Sequence, residues 1–407
     1  MAGLVGNVLE WYDFSIYGYF APMIGRHFFP AKNPTTSLIA AFAVFSAGFV
    51  TRPLGALLFG YIGDRYSRER ALTLSILAMA IPTCTTGLMP DYHAIGLTAS
   101  ILLVVLRLIQ GLSAGGEYTT SIVFLVERSS QGRRGLMGSF GLFGSIAGGM
   151  IGSAAGATLT YLMPSEQIIA WGWRIPFICG IAPAFFGIMI RRELRHMPVT
   201  PYHSAVTLAN LLMMQWRSVV RVFGFELLEG VGFYMTFIYL STYLISFAGV
   251  PEHVALAVNT LCMAFVLMVI PLGGMLSDRL GRRPILLTAA IAAAIFAWPL
   301  FRVLNHPGFG SILAGELGLA TIIGLYEGAA PAAAAEAFPI AVRATGVALA
   351  FNLCMTLFGG TTPMVATYLI ALTHSDMAPP IYLIAAALIS GSVVVSLRET
   401  AKAPLAS

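Results

Sequence analysis

Two acids stand three residues apart in an apolar run, Glu10 and Asp13 in "GNVLEWYDFSIYGYF" (6–20). On a helix this spacing puts both on one side, and Asn7 and Tyr17 lengthen the polar stripe. A carboxyl beside another carboxyl, or in a dry site, holds its proton more tightly. Such a group can load a proton on one side of a barrier and release it on the other. Glu226 and Glu229 repeat the spacing in "GFELLEGVGFYMTFIYLSTYL" (224–244). Tyr234, Tyr239 and Tyr243 in that stretch offer hydroxyls or a cation–π face. Arg107 lies in another apolar run, and its planar fork suits a carboxylate, of a ligand or of the protein. Arg52, followed by Pro53, lies in a third. Two roles stay open for Glu10 and Asp13: proton coupling or substrate contact, and ion pairing with Arg52 or Arg107. All seven histidines fall in loops or at the ends of apolar runs, so a coupled proton is expected on acids.

What positions these residues is a set of membrane helices. The chain has 407 residues, 57% hydrophobic and only 10% charged, with mean hydropathy +0.82. Soluble domains carry about 25% charged residues. A span needs ~20 mostly apolar residues. Twelve candidates read as 3–26, 37–62, 71–90, 95–122, 136–162, 172–190, 217–246, 254–276, 285–303, 309–334, 344–371 and 379–397. At about 1.5 Å per residue, Asp13 lies ~15 Å along the first, near the middle of a ~30 Å hydrocarbon core. A charge there costs at least ~2.5–3.5 kcal/mol, so it needs a partner, a wet cavity or its neutral form. Of the 23 basic residues, 17 fall on one side and four on the other, which places both termini in the cytoplasm. The expected setting is an integral plasma membrane protein, of a bacterial inner membrane, with the lipid bilayer, protons and a small metabolite as partners. A monomer is expected. The net charge of +5 sits in short loops and is no nucleic-acid signal. Cys84, Cys179, Cys262 and Cys354 lack metal-ligand spacing. No nucleophile elbow or phosphate loop supports an enzyme, and neither a metal nor a cofactor is expected.

The chain also repeats itself. "GYIGDRYSRER" (60–70) follows the second span and "GMLSDRLGRR" (274–283) the eighth. Asp64 and Asp278 are 214 residues apart. Glu127 and Glu336, and Arg134 and Arg343, are each 209 apart. Three landmarks in one order at nearly one offset read as a duplicated six-helix unit: a bundle over 1–192, a cytoplasmic linker over 193–216 and a second bundle over 217–407. Parallel repeats of this kind build transporters with a site between the halves. Asp64, Arg65, Arg68, Glu127, Arg134, Asp278, Arg279, Arg282, Glu336 and Arg343 are the expected gate at the basic end. Glu117 and Glu327 are expected in gate or helix-end pairing. Gly144, Gly148, Gly152 and Gly156, four residues apart, make a smooth ridge for close helix packing.

These motifs resemble the major facilitator superfamily. The loop signature G-x-x-x-D-R-x-G-R-R is complete in the second copy, and the first has Ser67 at the glycine position. "RLIQGLSAGGE" (107–117) resembles the fourth-helix motif. "GNVLEWYDFSIYGYFAP", "WGWRIPF" (171–177) and "FGGTTP" (358–363) resemble the metabolite:proton symporter branch, with its citrate, α-ketoglutarate, shikimate and proline or betaine carriers. The resemblance implies an all-α membrane protein with twelve transmembrane helices in two pseudo-symmetric bundles. It further implies proton-coupled symport of a small carboxylate-bearing metabolite by alternating access. Asp13 with Glu10 would couple the proton; Arg107, Asn7, Tyr17, Glu226, Glu229, Tyr234 and Glu316 would contact substrate. Extra acids on the seventh span depart from the citrate-carrier pattern and favour a zwitterion or amine over a polyanion. The alternative is drug or metabolite efflux by proton antiport. The proline of the antiporter motif is missing from "GSIAGGMIG".

Overall fold

A computed structural model describes the backbone of residues 2–65, 68–114, 117–181, 208–306 and 308–405. The side chains of residues 1–6, 56–57, 60, 63–72, 115–117 and 182–213 also lie outside the described residues. The described chain is helical throughout, with no strand. Among the described residues, nine helical runs are long and apolar enough to cross a membrane: Pro34–Gly55, Leu97–Glu127 (in which 115–116 lie outside the described set), Arg134–Leu162, Met214–Ser246, Glu252–Leu280, Arg282–Leu304, Phe309–Glu336, Arg343–Thr373 and Ala378–Val395. The remaining apolar segments form shorter helices. Ala2–Tyr19 is followed by Ala21–Phe28, and Arg68–Leu88 is continuous. Arg174–Cys179 leads into residues outside the described set. Of the expected linker, 193–207 lies outside the described residues. Residues 208–216 are helical and enter the Leu208–Phe233 helix across a kink at Gln215.

Local chemistry sets the ends. Asn33 caps Pro34–Val50 by accepting from the Thr35 N–H at 2.9 Å, and Pro34 fits the first turn because its missing N–H would be unpaired there. Pro53 marks the break between Pro34–Val50 and Arg52–Arg65. A proline removes one helix hydrogen bond and crowds the preceding turn. Gly281, at φ 115°, ends Glu252–Leu280 and begins Arg282–Leu304. A side chain at that φ is strained.

One helix is unlike the rest. In Met214–Ser246, 94% of the apolar window is buried, against 33–56% elsewhere. Protein surrounds it on all sides, which is why it can carry acids. Its backbone widens to a π-helical turn at Tyr234–Tyr239, a feature that concentrates at functional sites. Other helices turn apolar side chains such as Leu272, Met268, Ile291 and Ile295 outward, as lipid contact requires. The glycine ridge lets Arg134–Leu162 press on the first helix. A Cβ on Gly148 would meet the Val8 carbonyl and lie 2.9 Å from the Tyr12 nitrogen; one on Gly152 would lie 3.2 Å from Ile16 Cγ2. Trp171 and Trp216 are exposed, as rings at a membrane–water interface would be. Trp173 is not: it is fully buried against His27, Phe28 and Phe177.

Candidate functional site

Buried acids gather in two places. The first is built on Ala2–Tyr19. Arg107 Nη1 lies 3.3 Å from Asp13 Oδ2, both side chains essentially buried. The other Asp13 oxygen accepts from Gln110 Nε2 at 2.9 Å and faces Thr83 Oγ1 at 2.6 Å. Arg52 Nη2 pairs with Glu10 Oε1 at 3.2 Å. Aromatic faces complete the cage. The Arg107 guanidinium lies 3.8 Å from the Tyr17 ring centroid, and that of Arg52 lies 4.2 Å from Phe49 and 4.6 Å from Phe14. Both acids therefore have their own arginine, the pairing left open by spacing alone. Arg107 Nε and Nη2 stay buried with no hydrogen-bond partner, so the guanidinium has unused donors.

Glu10 and Asp13 also line a cavity of about 440 Å³, open solvent at its mouth included. Leu9, Tyr12, Ser75, Ile76, Met79, Ala80, Thr83, Ser113 and Gly180 form the rest of its wall. Every one belongs to helices before residue 182. The stripe thus faces a cleft inside the amino-terminal helices, not the centre of the molecule. Two expected substrate contacts are occupied by the protein. The Tyr17 hydroxyl donates to the Ala41 carbonyl at 3.0 Å. The Asn7 amide donates to the Gly141 carbonyl at 3.2 Å and to Ser145 Oγ at 3.1 Å. Both fasten the first helix to its neighbours.

The second cluster lies where amino-terminal and carboxy-terminal helices meet. Glu226 and Glu229 are buried and within hydrogen-bonding reach of one another, and the Tyr118 hydroxyl reaches Glu229. Glu327 is fully buried, with neither oxygen bonded. Glu229, Glu327 and Tyr234 line a cavity of about 250 Å³ together with Trp11, Tyr118, Leu142, Phe233, Phe351 and Met355. Asp13 thus lines one cavity and Glu229 the other. Arg107 and Glu226 line neither. Glu327, expected as a gate residue, belongs here. Trp11 and Tyr118 look like packing aromatics in the sequence and carry no signal beyond neighbouring acids. Glu316 stands apart: fully buried, with both oxygens unbonded, near Tyr19 and Cys262. Tyr239 is buried, and the Tyr243 hydroxyl bonds Asn305 at 2.9 Å.

At the basic end the duplicated Glu–Arg landmarks pair crosswise. Arg343 bonds Glu127 at 2.8 Å and Arg134 faces Glu336 at 3.4 Å, so each acid meets the arginine of the other copy. Asp278 accepts from the backbone N–H of Gly135 at 2.7 Å and of Leu136 at 2.9 Å, where the Arg134–Ser139 helix starts and its dipole favours an anion. Arg282 ties Asp278 to Glu336 at 2.8 and 3.1 Å. Arg279 is exposed. The side chains of Asp64, Arg65, Arg68 and Glu117 lie outside the described residues.

Long apolar helices, buried charges held by partners, and a cleft between early and late helices define a membrane carrier. The model of the family described as sugar (and other) transporter matches residues 1–203 and 202–407. The chain is 36% identical over 419 residues to the proline/betaine transporter of Salmonella typhimurium, covering 99% of this chain and 84% of that protein. It is 34% identical to the glycine betaine/proline/ectoine/pipecolic acid transporter of Dickeya dadantii, over 99% and 83%. Its fold is like that of the D-xylose–proton symporter, at 19% identity and TM-score 0.75, over 96% and 95% of the chains. It is also like the partially occluded inward-open xylose transporter of Escherichia coli, at 18% identity and TM-score 0.78, over 98% and 97%. The chain belongs to the sugar (and other) transporter family, within the major facilitator superfamily, and is a secondary transporter.

Proposed function

We propose that this carrier is a proton-coupled symporter of a small zwitterion of the proline or betaine kind, working by alternating access. The observation that carries the coupling is Asp13: one oxygen is held by Gln110 and Thr83, the other by Arg107, beside a cavity that reaches solvent. A proton arriving on Asp13 frees Arg107 from its counter-charge; a proton leaving restores the pair. That exchange links charge to helix position without a histidine. The relatives' names supply the substrate class. Acids on Met214–Ser246 support it, since they disfavour polyanions. The short helices at 2–28, 68–88 and 165–181 bring the proposed count to twelve, as bundles over 1–192 and 217–407 with both termini cytoplasmic in a bacterial inner membrane, and the carrier works as a monomer.

The test uses purified protein in liposomes with an imposed pH gradient, acid outside, and labelled proline and glycine betaine. Gradient-driven accumulation is expected for wild type. Asp13→Asn is expected to lose net accumulation while keeping exchange of internal for external substrate, because exchange needs no reset of the empty carrier. Full accumulation by Asp13→Asn would remove Asp13 from the coupling role. Accumulation that ignores the pH gradient in wild type would remove symport.

A further inference from the structure

The 250 Å³ cleft between early and late helices has a composition that the coupling mechanism leaves unused. Two groups of rings bound it. Trp11 stands 4.8 Å from Phe233 and 5.9 Å from Tyr234, and Tyr118 stands 4.8 Å from Phe351. Between them lie Glu229 and Glu327. Among the described residues no arginine, lysine or histidine forms an ion pair with Glu226, Glu229 or Glu327. Both Glu327 oxygens, Glu229 Oε2 and the Tyr234 hydroxyl are buried and unbonded. Unpaired carboxyls in a dry site are costly. They persist where they hold a proton or where something else supplies the positive charge.

We infer that this cleft, lined by Trp11, Tyr118, Phe233, Tyr234, Phe351, Glu229 and Glu327, binds the carbon-substituted ammonium group of the transported zwitterion. The inference rests on the symport reading and places one end of its substrate. Ring faces attract a cation, most strongly when water is excluded, and suit a methylated or ring ammonium that cannot donate many hydrogen bonds. Glu327 and Glu229 add the counter-charge. The apolar remainder of the wall, Leu142 and Met355, suits alkyl substituents and not a hydrated metal ion. The Arg52 guanidinium stacks on Phe49, whose ring lies 5.5 Å from that of Tyr234.

The experiment compares glycine betaine with 3,3-dimethylbutanoate, which has the same shape and a tert-butyl group in place of the cation. Binding of both to the full-length protein in detergent is measured by calorimetry, and uptake of labelled glycine betaine is measured in liposomes. Wild type is expected to prefer glycine betaine by about tenfold or more, the scale of a desolvated cation–π contact. Trp11→Leu and Glu327→Gln are each expected to cut that preference to threefold or less, and Trp11→Phe, which keeps a ring face, to retain most of it. Melting curves select variants that fold, with Phe351→Leu as the substitute if Glu327→Gln does not. Equal wild-type binding of the two compounds overturns the inference. Glycine betaine uptake with the preference unchanged in folded Trp11→Leu and Glu327→Gln, or in folded Phe351→Leu where it substitutes, overturns it and leaves symport standing. Binding of neither compound overturns the inference, and gradient-driven accumulation of labelled proline then decides whether symport stands.

Discussion

Asp13 shows how a buried charge is made affordable, with neutral donors on one oxygen and a guanidinium on the other. Removing one member of such a pair is far worse than removing both, because the survivor keeps its desolvation cost. Arg107→Leu is therefore expected to lower stability by about 3–5 kcal/mol. The double change Asp13→Asn with Arg107→Leu is expected to lose less than Arg107→Leu alone. Melting temperatures in detergent give the comparison, and simple additivity of the two changes would mean that the pair does not interact. Glu316 is the opposite case, a buried carboxyl with no bonded oxygen. An unsatisfied buried polar group costs ~1–3 kcal/mol, and methionine fits irregular apolar space. Glu316→Met is expected to raise the melting temperature; a fall would show that Glu316 has a partner when the protein is in its membrane.

Most long helices lie within about four residues of the apolar runs that announce them, with larger misses at the ends of Pro34–Gly55 and Leu97–Glu127, because a membrane core demands that length and arginines stop it. Partner choice is less legible. Glu127 and Arg134 sit seven residues apart and read as neighbours, yet each pairs with the other copy, since register between distant helices leaves no trace in local spacing. Asn7 and Tyr17 share a face with Asp13 but end on neighbouring helices, and Trp11 and Tyr118 hide among ordinary core aromatics. Packing at the glycine ridge was legible, and it gives a prediction. Gly148→Ala puts a methyl against the first helix's backbone, which cannot rotate away, so a loss of ~1–3 kcal/mol is expected together with slower transport. A second element-scale case is the segment after Ala378–Val395. Glu399 accepts from the N–H groups of Arg282, Arg283, Thr400 and Ala401 at 2.9–3.0 Å. Burial opposes its ionisation, but these donors outweigh it and hold the carboxyl below its ordinary value. A depressed value means that this docking is fully present above the ordinary glutamate range and lost as pH falls through the depressed one. Protection of the amides over 396–405, taken relative to their intrinsic exchange rate at each pH, is expected to be high at pH 7 and to fall below about pH 4, and Glu399→Ala is expected to have lost that protection already at pH 7.

At the scale of the whole molecule, early and late helices are joined at both ends. At one end the Tyr19 hydroxyl meets the Phe237 carbonyl and the Asn259 amide, each at 3.0 Å, and Asn259 also reaches Ser153 at 3.1 Å. At the other, cytoplasmic in the proposed topology, Asp278 holds Gly135 and Leu136, Arg343 holds Glu127, and Arg134 holds Glu336 and the Ala403 carbonyl at 2.9 Å. With both ends bonded, the relative strength of the two sets decides which opens. The Tyr19 end uses neutral donors and acceptors, worth ~0.5–1.5 kcal/mol each, whereas bonds to charged groups are worth ~1.5–3 kcal/mol. Opening is thus favoured at the Tyr19 end when no substrate is present. Asp278→Asn keeps the shape of the side chain but removes its charge and one of its two acceptor oxygens, so only one of the Gly135 and Leu136 N–H groups keeps an acceptor. A shift of about 1.4 kcal/mol changes the ratio of the two open states tenfold. Spin labels on Ser130→Cys and Arg279→Cys, with the four native cysteines replaced, report the width of the basic end. The Asp278→Asn protein is expected to move a substantial population to longer distances, to gain cysteine reactivity at that face, and to keep substrate affinity within a few-fold. Unchanged distance distributions in a folded Asp278→Asn protein would mean that Asp278 caps a helix and takes no part in gating.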